Sequence, residues 1–386
     1  MNSTQTRTEF LKSCGATPSQ LEELLEYNTN YFNPKLANYP YKFPLPDEIH
    51  INVWKSYLFE AQTIGLPATL KKRIIQFQFP IEDGISQTEA YQSATRKGSL
   101  IPENNNNGLF LKKWDRLQLR IHQSIGGSIP VFITTDRTDF ESLIQAFLFK
   151  NEPKPVPKSM GACMVAGFNN WDRIFKLKEI WEKQHAPEIS EALWQEKFKR
   201  IIPNKELYQD RFIILSDGPY SAVPAVTLGL SDTEWKEHSL KIRLAHECAH
   251  YFTKRFYSSM RNNLLDELIA DFMGITNAIG MYRADWFLHF IGLEKYPSYR
   301  SGGRLENYRS TPPLSDSAFR ILQHLAKNAA ENLEVFCDTT FGNRLDPTAQ
   351  DKMLLTLTQL TIDELASPKS EIYLQEALMH TDQVLS

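Results

Sequence analysis

Two short runs, His246-Glu247-Cys248-Ala249-His250 and Asp266-Glu267-Leu268-Ile269-Ala270-Asp271-Phe272-Met273-Gly274, decide how this chain is read. They lie within Leu240–Gly280, with sixteen residues between His250 and Glu267. Residues four apart on a helix lie about 40° apart around its axis, so His246 and His250 leave from one face. Two imidazoles so placed can share one metal ion. Glu247 points to a neighbouring direction and is placed to hold a water beside the metal. Glu267 is the natural third ligand, because a catalytic zinc typically takes three protein ligands and keeps one open position. The two runs together read as a Zn2+ site of the two-histidine, one-glutamate type.

The surrounding pattern supports two helices. Leu240, Leu244, Cys248, Phe252 and Phe256 form an i, i+4 stripe, and the histidines fall near its far side. Leu264 to Met281 is apolar almost all round, the mark of a buried helix. Acids at 266, 267 and 271 are costly there unless a metal or an imidazole compensates them. Glu267, Asp271, Gly274 and Ala278 share a face, and the two small residues allow the histidine helix to approach closely.

This constellation resembles the gluzincin clan of metallopeptidases, whose best-known members are thermolysin-like. Glu267-Leu-Ile-Ala-Asp271-Phe-Met-Gly274 is similar to the clan's second-helix pattern, Glu-x-x-x-Asp followed by a hydrophobic pair and Gly. The resemblance covers about residues 240–280, roughly a tenth of the chain. It implies His246, His250 and Glu267 as ligands, Glu247 as general base and Asp271 as the partner of His246. By the same analogy Asp266 orients His250. It further implies a downstream His or Tyr that steadies the oxyanion. Tyr308, Tyr299 and His289 are candidates, Tyr308 foremost, and Arg304 either serves the same purpose or pairs with Glu306. The implied activity is a zinc-dependent hydrolase, a metallopeptidase that cleaves peptide bonds by Glu-assisted attack of zinc-bound water.

The rest of the chain sets the frame. The 43 basic and 46 acidic side chains leave a net charge of −3, which gives no reason to expect nucleic acid or an anionic membrane as partner. The expected partner is a peptide or protein substrate; oligomeric state is not readable. Cys14, Cys163, Cys248 and Cys337 show no paired spacing, and the N-terminal residues lead into no apolar segment. Both features lead to the expectation of a cytoplasmic protein.

Asn151-Glu-Pro-Lys-Pro-Val-Pro157 reads as a linker, with prolines at alternate positions favouring an extended path. Leu117–Ile121, Ile129–Thr134 and Phe212–Leu215 read as strands. Ala222–Val226 resumes extended character just upstream of the histidine helix, where gluzincins carry a cleft-lining strand. Ser231 with Glu234 is a capping box. Residues 315–386 read as helical throughout.

The expected fold is α+β. A zincin-like metalloprotease core (mixed sheet plus HExxH helix) spans 158–310, a helical C-terminal subdomain 311–386, and an N-terminal α/β region of unknown role 1–150. On this reading the metal sits at the floor of a cleft between a sheet-bearing part and a helical part, with Pro219–Val226 on one rim and Tyr296–Tyr308 on the other. Two other readings compete. One is a zincin-like protein that binds or senses a partner without turnover. The other is a di-iron bundle, for which Glu182-Lys-Gln-His185 provides a formal second Glu-x-x-His pair.

Overall fold

In the computed structural model, residues 3–32, 42–98, 108–185, 190–261, 263–342 and 344–385 are described. Strand and helix signals separate into two compact units. One is continuous, Pro46–Asp217, and the other joins Met1–Leu45 to Gly218–Ser386.

The continuous unit is built on four strands: β1 (Gln118–Ser124), β2 (Gly127–Thr134), β3 (Ala162–Asn169) and β4 (Gln209–Ser216). Their order is β1-β2-β4-β3. β1 and β2 form an antiparallel hairpin closed at Ser124 and Gly127, β2 runs parallel to β4, and β3 returns antiparallel to β4. β2 is buried along its whole length. A strand covered on both faces reads as an apolar run rather than an alternation, which is how Ile129–Thr134 and Phe212–Leu215 appear in the sequence. Trp54, Phe77, Phe132, Phe140 and Phe212 fill the core on this sheet. Asp210, buried here, is fully bonded: Arg173 at 2.5 Å, Asn170 Nδ2 at 2.7 Å and Trp54 Nε1 at 2.8 Å. Such a satisfied network holds structure together.

The second unit contains no strand among the described residues beyond an isolated bridge, Lys295 to Ser298. Its helices include the histidine helix Asp232–Phe256, the glutamate helix Leu264–Ile279 and the long Asp316–Phe341. Ser231 caps the first with the capping box that the sequence announces: its Oγ accepts the Glu234 N–H at 3.3 Å and Glu234 Oε2 accepts the Ser231 N–H at 3.0 Å. Asn263 Oδ1 caps the second through the Asp266 N–H at 3.1 Å. Gly280, with φ 78°, ends it.

Three expectations differ from this arrangement. The division near residues 150 and 310 gives way to boundaries at Leu45/Pro46 and Asp217/Gly218. The Asn151–Pro157 run is a connection inside the sheet unit. Asn151 Nδ2 donates to the Gln76 and Phe79 carbonyls, Arg137 donates to the carbonyls of Pro157 and Met160, and Val156 packs on the core. Prolines there make the chain extended, but side-chain anchoring fixes it. Second, Ala222–Val226 is not a strand: Tyr220–Ala222 and Ala225–Leu228 are short 3-10 turns. Ser221 and Ala222 have φ of 50° and 56°, a left-handed conformation that no strand contains. Third, the histidine helix and the sheet fall in different units, so both metal-site runs belong to the helical unit.

Gly274 explains how the two helices of the helical unit approach. A Cβ added there would lie 2.8 Å from Ile242 Cγ2 and 3.0 Å from the Ile242 carbonyl oxygen. The neighbour includes backbone and cannot swing away. Gly274→Ala is therefore expected to destabilise the protein by about 1–3 kcal/mol through overpacking. Denaturant titration checks this. An unchanged midpoint would mean that the helices do not need this contact.

Candidate metal centre

Helix geometry puts His246 and His250 one turn apart, with their rings at 82° and centroids 4.7 Å apart. Their Nε2 atoms face each other at 3.1 Å. Glu267, on the neighbouring helix, spans both: Oε2 lies 3.6 Å from His246 Nε2 and Oε1 lies 3.5 Å from His250 Nε2. All three side chains are buried, and among the described residues they are the one group of three metal-capable side chains whose ligand atoms converge. Glu182 and His185 are not part of it.

The surroundings settle which imidazole nitrogen is free. His246 Nδ1 lies 2.9 Å from Asp271 Oδ1. A carboxylate accepts only, so Nδ1 carries the proton and Nε2 presents a bare lone pair. That lone pair points at His250 Nε2 and Glu267. Asp271, fully buried, also accepts the Tyr220 hydroxyl on Oδ1 at 2.5 Å and the Arg304 guanidinium on Oδ2. Arg304 donates as well to the Tyr220 hydroxyl at 2.8 Å and to Ser221 Oγ at 3.1 Å. Asp271, Tyr220 and Arg304 thus form a closed ring around the back of His246.

Tyr220 reaches this position because its turn is pinned to the histidine helix. Ser239 Oγ accepts the Tyr220 N–H at 2.9 Å, Arg243 donates to the carbonyls of Gly218 and Pro219, and Trp235 Nε1 donates to the Val223 carbonyl at 2.7 Å. Ser239, Arg243, His246 and His250 follow one helical stripe. The left-handed φ values of Ser221 and Ala222 mark backbone strain held by these contacts.

On the other side, Tyr308 donates its hydroxyl to Glu267 Oε2 at 2.8 Å. The Tyr308 carbonyl accepts the Tyr27 hydroxyl at 2.8 Å, and Tyr27 Oη accepts the Leu264 N–H at 3.0 Å, at the first turn of the glutamate helix. The N-terminal helix Pro18–Tyr27 therefore braces the start of the ligand-bearing helix.

Tyr308 is at the site, but its hydroxyl is engaged by Glu267, so this contact makes it a holder of the ligand carboxylate. Arg304 pairs with Asp271, while Glu306 pairs with Arg309 at 2.9 Å. Tyr299 donates to the Gly303 carbonyl, and the His289 carbonyl accepts from Arg300; among the described contacts neither residue joins the site. Asp266 accepts the Arg261 N–H at 2.6 Å rather than bonding to His250, and reaches that imidazole through its charge. Tyr220 and Tyr27 went unassigned in the sequence. The only signal for Tyr220 was its place in a proline-flanked turn upstream of the histidines.

Charge balance fits the geometry. Burial pulls the His250 pKa down, but Glu267, Glu247 and Asp266 outweigh it and push it up to about 9. Burial raises Glu267, yet His250, His246 and Arg304 hold its carboxyl well below the usual range. Burial pushes the hydroxyls of Tyr220 and Tyr308 well above the ordinary phenol value, so both stay protonated as donors. Four buried acids (Glu247, Asp266, Glu267 and Asp271) gather around two imidazoles and Arg304, an excess of negative charge that a divalent cation would offset.

Asp271→Ala is expected to weaken zinc binding roughly 10–100-fold, the usual cost of removing a carboxylate behind a metal-bound imidazole. Competition with a chromophoric chelator measures it. Parent-like affinity in a folded variant would show that Asp271 does not support the ligand.

The chain belongs to a family described as "Family of unknown function (DUF7005)", which matches residues 9–369. No curated protein and no solved structure matches it.

Proposed function

We propose that this family member is a zinc-dependent hydrolase, a metallopeptidase of gluzincin type acting on peptide or protein substrates. One observation carries the reading: two Nε2 atoms and a carboxylate converge with separations of 3.1, 3.5 and 3.6 Å. Zinc–ligand bonds of 2.0–2.1 Å in a tetrahedron put neighbouring ligand atoms about 3.3 Å apart. His246, His250 and Glu267 would hold the ion, with Asp271 and Tyr308 fixing their orientation. Zinc bound there supplies Lewis-acid chemistry, polarising a substrate carbonyl and lowering the pKa of water towards about 7.

The chain's own residues supply the proton handling. Glu247 follows His246 on the buried part of the helix, and its charge is felt by His250. As general base it takes the proton of the attacking water and returns it to the leaving amine. The ring of Asp271, Tyr220 and Arg304 keeps the His246 proton on Nδ1 throughout.

The zincin-like character lies in the pairing of a histidine helix with a glutamate helix. A cytoplasmic setting belongs to the same proposal: none of the four cysteines is in a disulfide, and among the described residues no helix is long and apolar enough to cross a membrane. The alternative, a zincin-like binding or sensing protein, draws support from Tyr308 and Arg304, which are both bonded to acids at the site instead of standing open.

A peptide-library digest, with the protein stripped of metal and then restored with zinc, tests the proposal. Zinc-dependent cleavage is expected. Stoichiometric zinc binding with no cleavage of any library member would favour the binding reading.

A further inference from the structure

A cavity of about 480 Å³ in the helical unit has none of the candidate metal ligands in its lining. Its walls include Ser13, Gln20, Tyr296, Ser317, Arg320 and His324, and none of its described lining residues is an Asp or Glu. The volume falls within the range of small-molecule sites.

The hydrogen bonds behind it have a direction. Asn328 Nδ2 lies 3.0 Å from His324 Nε2 and donates to it. An imidazole that accepts at Nε2 carries its proton at Nδ1 when neutral. His324 Nδ1 is 3.2 Å from the Tyr296 hydroxyl oxygen, so it donates there. Tyr296 then has its own proton left to give. The chain Asn328, His324, Tyr296 thus ends in an outward hydroxyl donor at the cavity wall.

Arg320 stands on the same helix as His324, one turn before it, and is exposed. Its charge is felt by Asp316, one turn before it, which is not among the described residues lining the cavity. The nearby acid Asp316 is bonded to Arg309 at 2.6 Å, and Glu23 is bonded to the N–H and hydroxyl of Ser315 at 2.8 and 3.0 Å. A guanidinium fork and a tyrosine hydroxyl make a pair of donors on this wall. Such a pair suits an oxyanion, which accepts only.

We infer that this cavity is a binding site for a small molecule bearing an oxyanion, a phosphate or a carboxylate, held by Arg320 and Tyr296. It stands independently of the metal centre and of the hydrolase reading.

The test is isothermal titration of the full chain with inorganic phosphate in one arm and succinate in the other, at constant ionic strength in chloride. Saturable one-to-one binding of at least one anion is expected, and the arm that binds names the group. Arg320→Gln is expected to weaken it at least tenfold, and Tyr296→Phe about threefold to tenfold. Arg320 is exposed, so its replacement leaves the fold intact, and a thermal melt verifies this. The absence of saturable binding in both arms overturns the inference. So does binding that Arg320→Gln leaves within twofold of the parent, which would mean an adventitious ion only.

Discussion

Glu267→Ala and His246→Ala are each expected to lose the zinc that the proposed site is expected to bind at about one ion per chain. Three ligands share a binding free energy on the order of 10 kcal/mol, so each carries about 3 kcal/mol and its loss costs at least roughly 100-fold in affinity. Glu267 does more than the average ligand, because its carboxylate faces both imidazoles and brings the negative charge that offsets the cation. Its removal also leaves the buried Tyr308 hydroxyl without its acceptor, which costs about 1–3 kcal/mol in stability. Glu267→Gln separates the two effects. The amide oxygen still accepts from Tyr308, so stability should hold, while zinc affinity still falls because a neutral oxygen replaces a charged one. Elemental analysis and chelator competition provide the readout. Full zinc retention in both Glu267→Ala and His246→Ala would rule out this ligand set.

Glu247→Gln should leave zinc in place and reduce peptide cleavage by about 10²–10⁴-fold, the usual contribution of a positioned general base. The substitution preserves shape, and Gln keeps a polar end in the same buried position, but it cannot take a proton near neutral pH. Metal content and turnover therefore part company in this variant, whereas in the ligand variants they fall together. Turnover equal to the parent's would remove Glu247 from the chemistry. A parent without turnover, with zinc bound, would leave the chain as a zinc-holding binding protein.

What could be read in advance depended on distance along the chain. The histidine pair, its capping box at Ser231 and the acid pattern of the second helix are local, since helix periodicity alone aligns residues three or four apart. The strands at 129–134 and 212–215 were equally legible from their apolar runs. Strand order was not, because a parallel neighbour such as β4 lies far from β2 in sequence and is chosen by packing. The Asn151–Pro157 run misled for a related reason. Alternating prolines report an extended backbone but not whether that backbone is anchored, and here Asn151 and Arg137 anchor it.

By itself, then, the sequence determined that two imidazoles and a glutamate would be presented from helix faces, because that follows from 3.6 residues per turn. Only the tertiary structure decided what stands behind them. Tyr220 meets His246 across 26 residues, Arg304 meets Asp271 across 33, and Tyr27 meets Tyr308 across 281. None of these separations has a period. Each contact exists because a turn or helix end is held in place by other side chains: Ser239, Arg243 and Trp235 for the Tyr220 turn, and the Leu264 N–H for Tyr27. Hydrogen bonds to buried carboxylates reward such placements strongly in a low-dielectric interior, and that reward depends on the assembled surroundings rather than on any local stretch of chain.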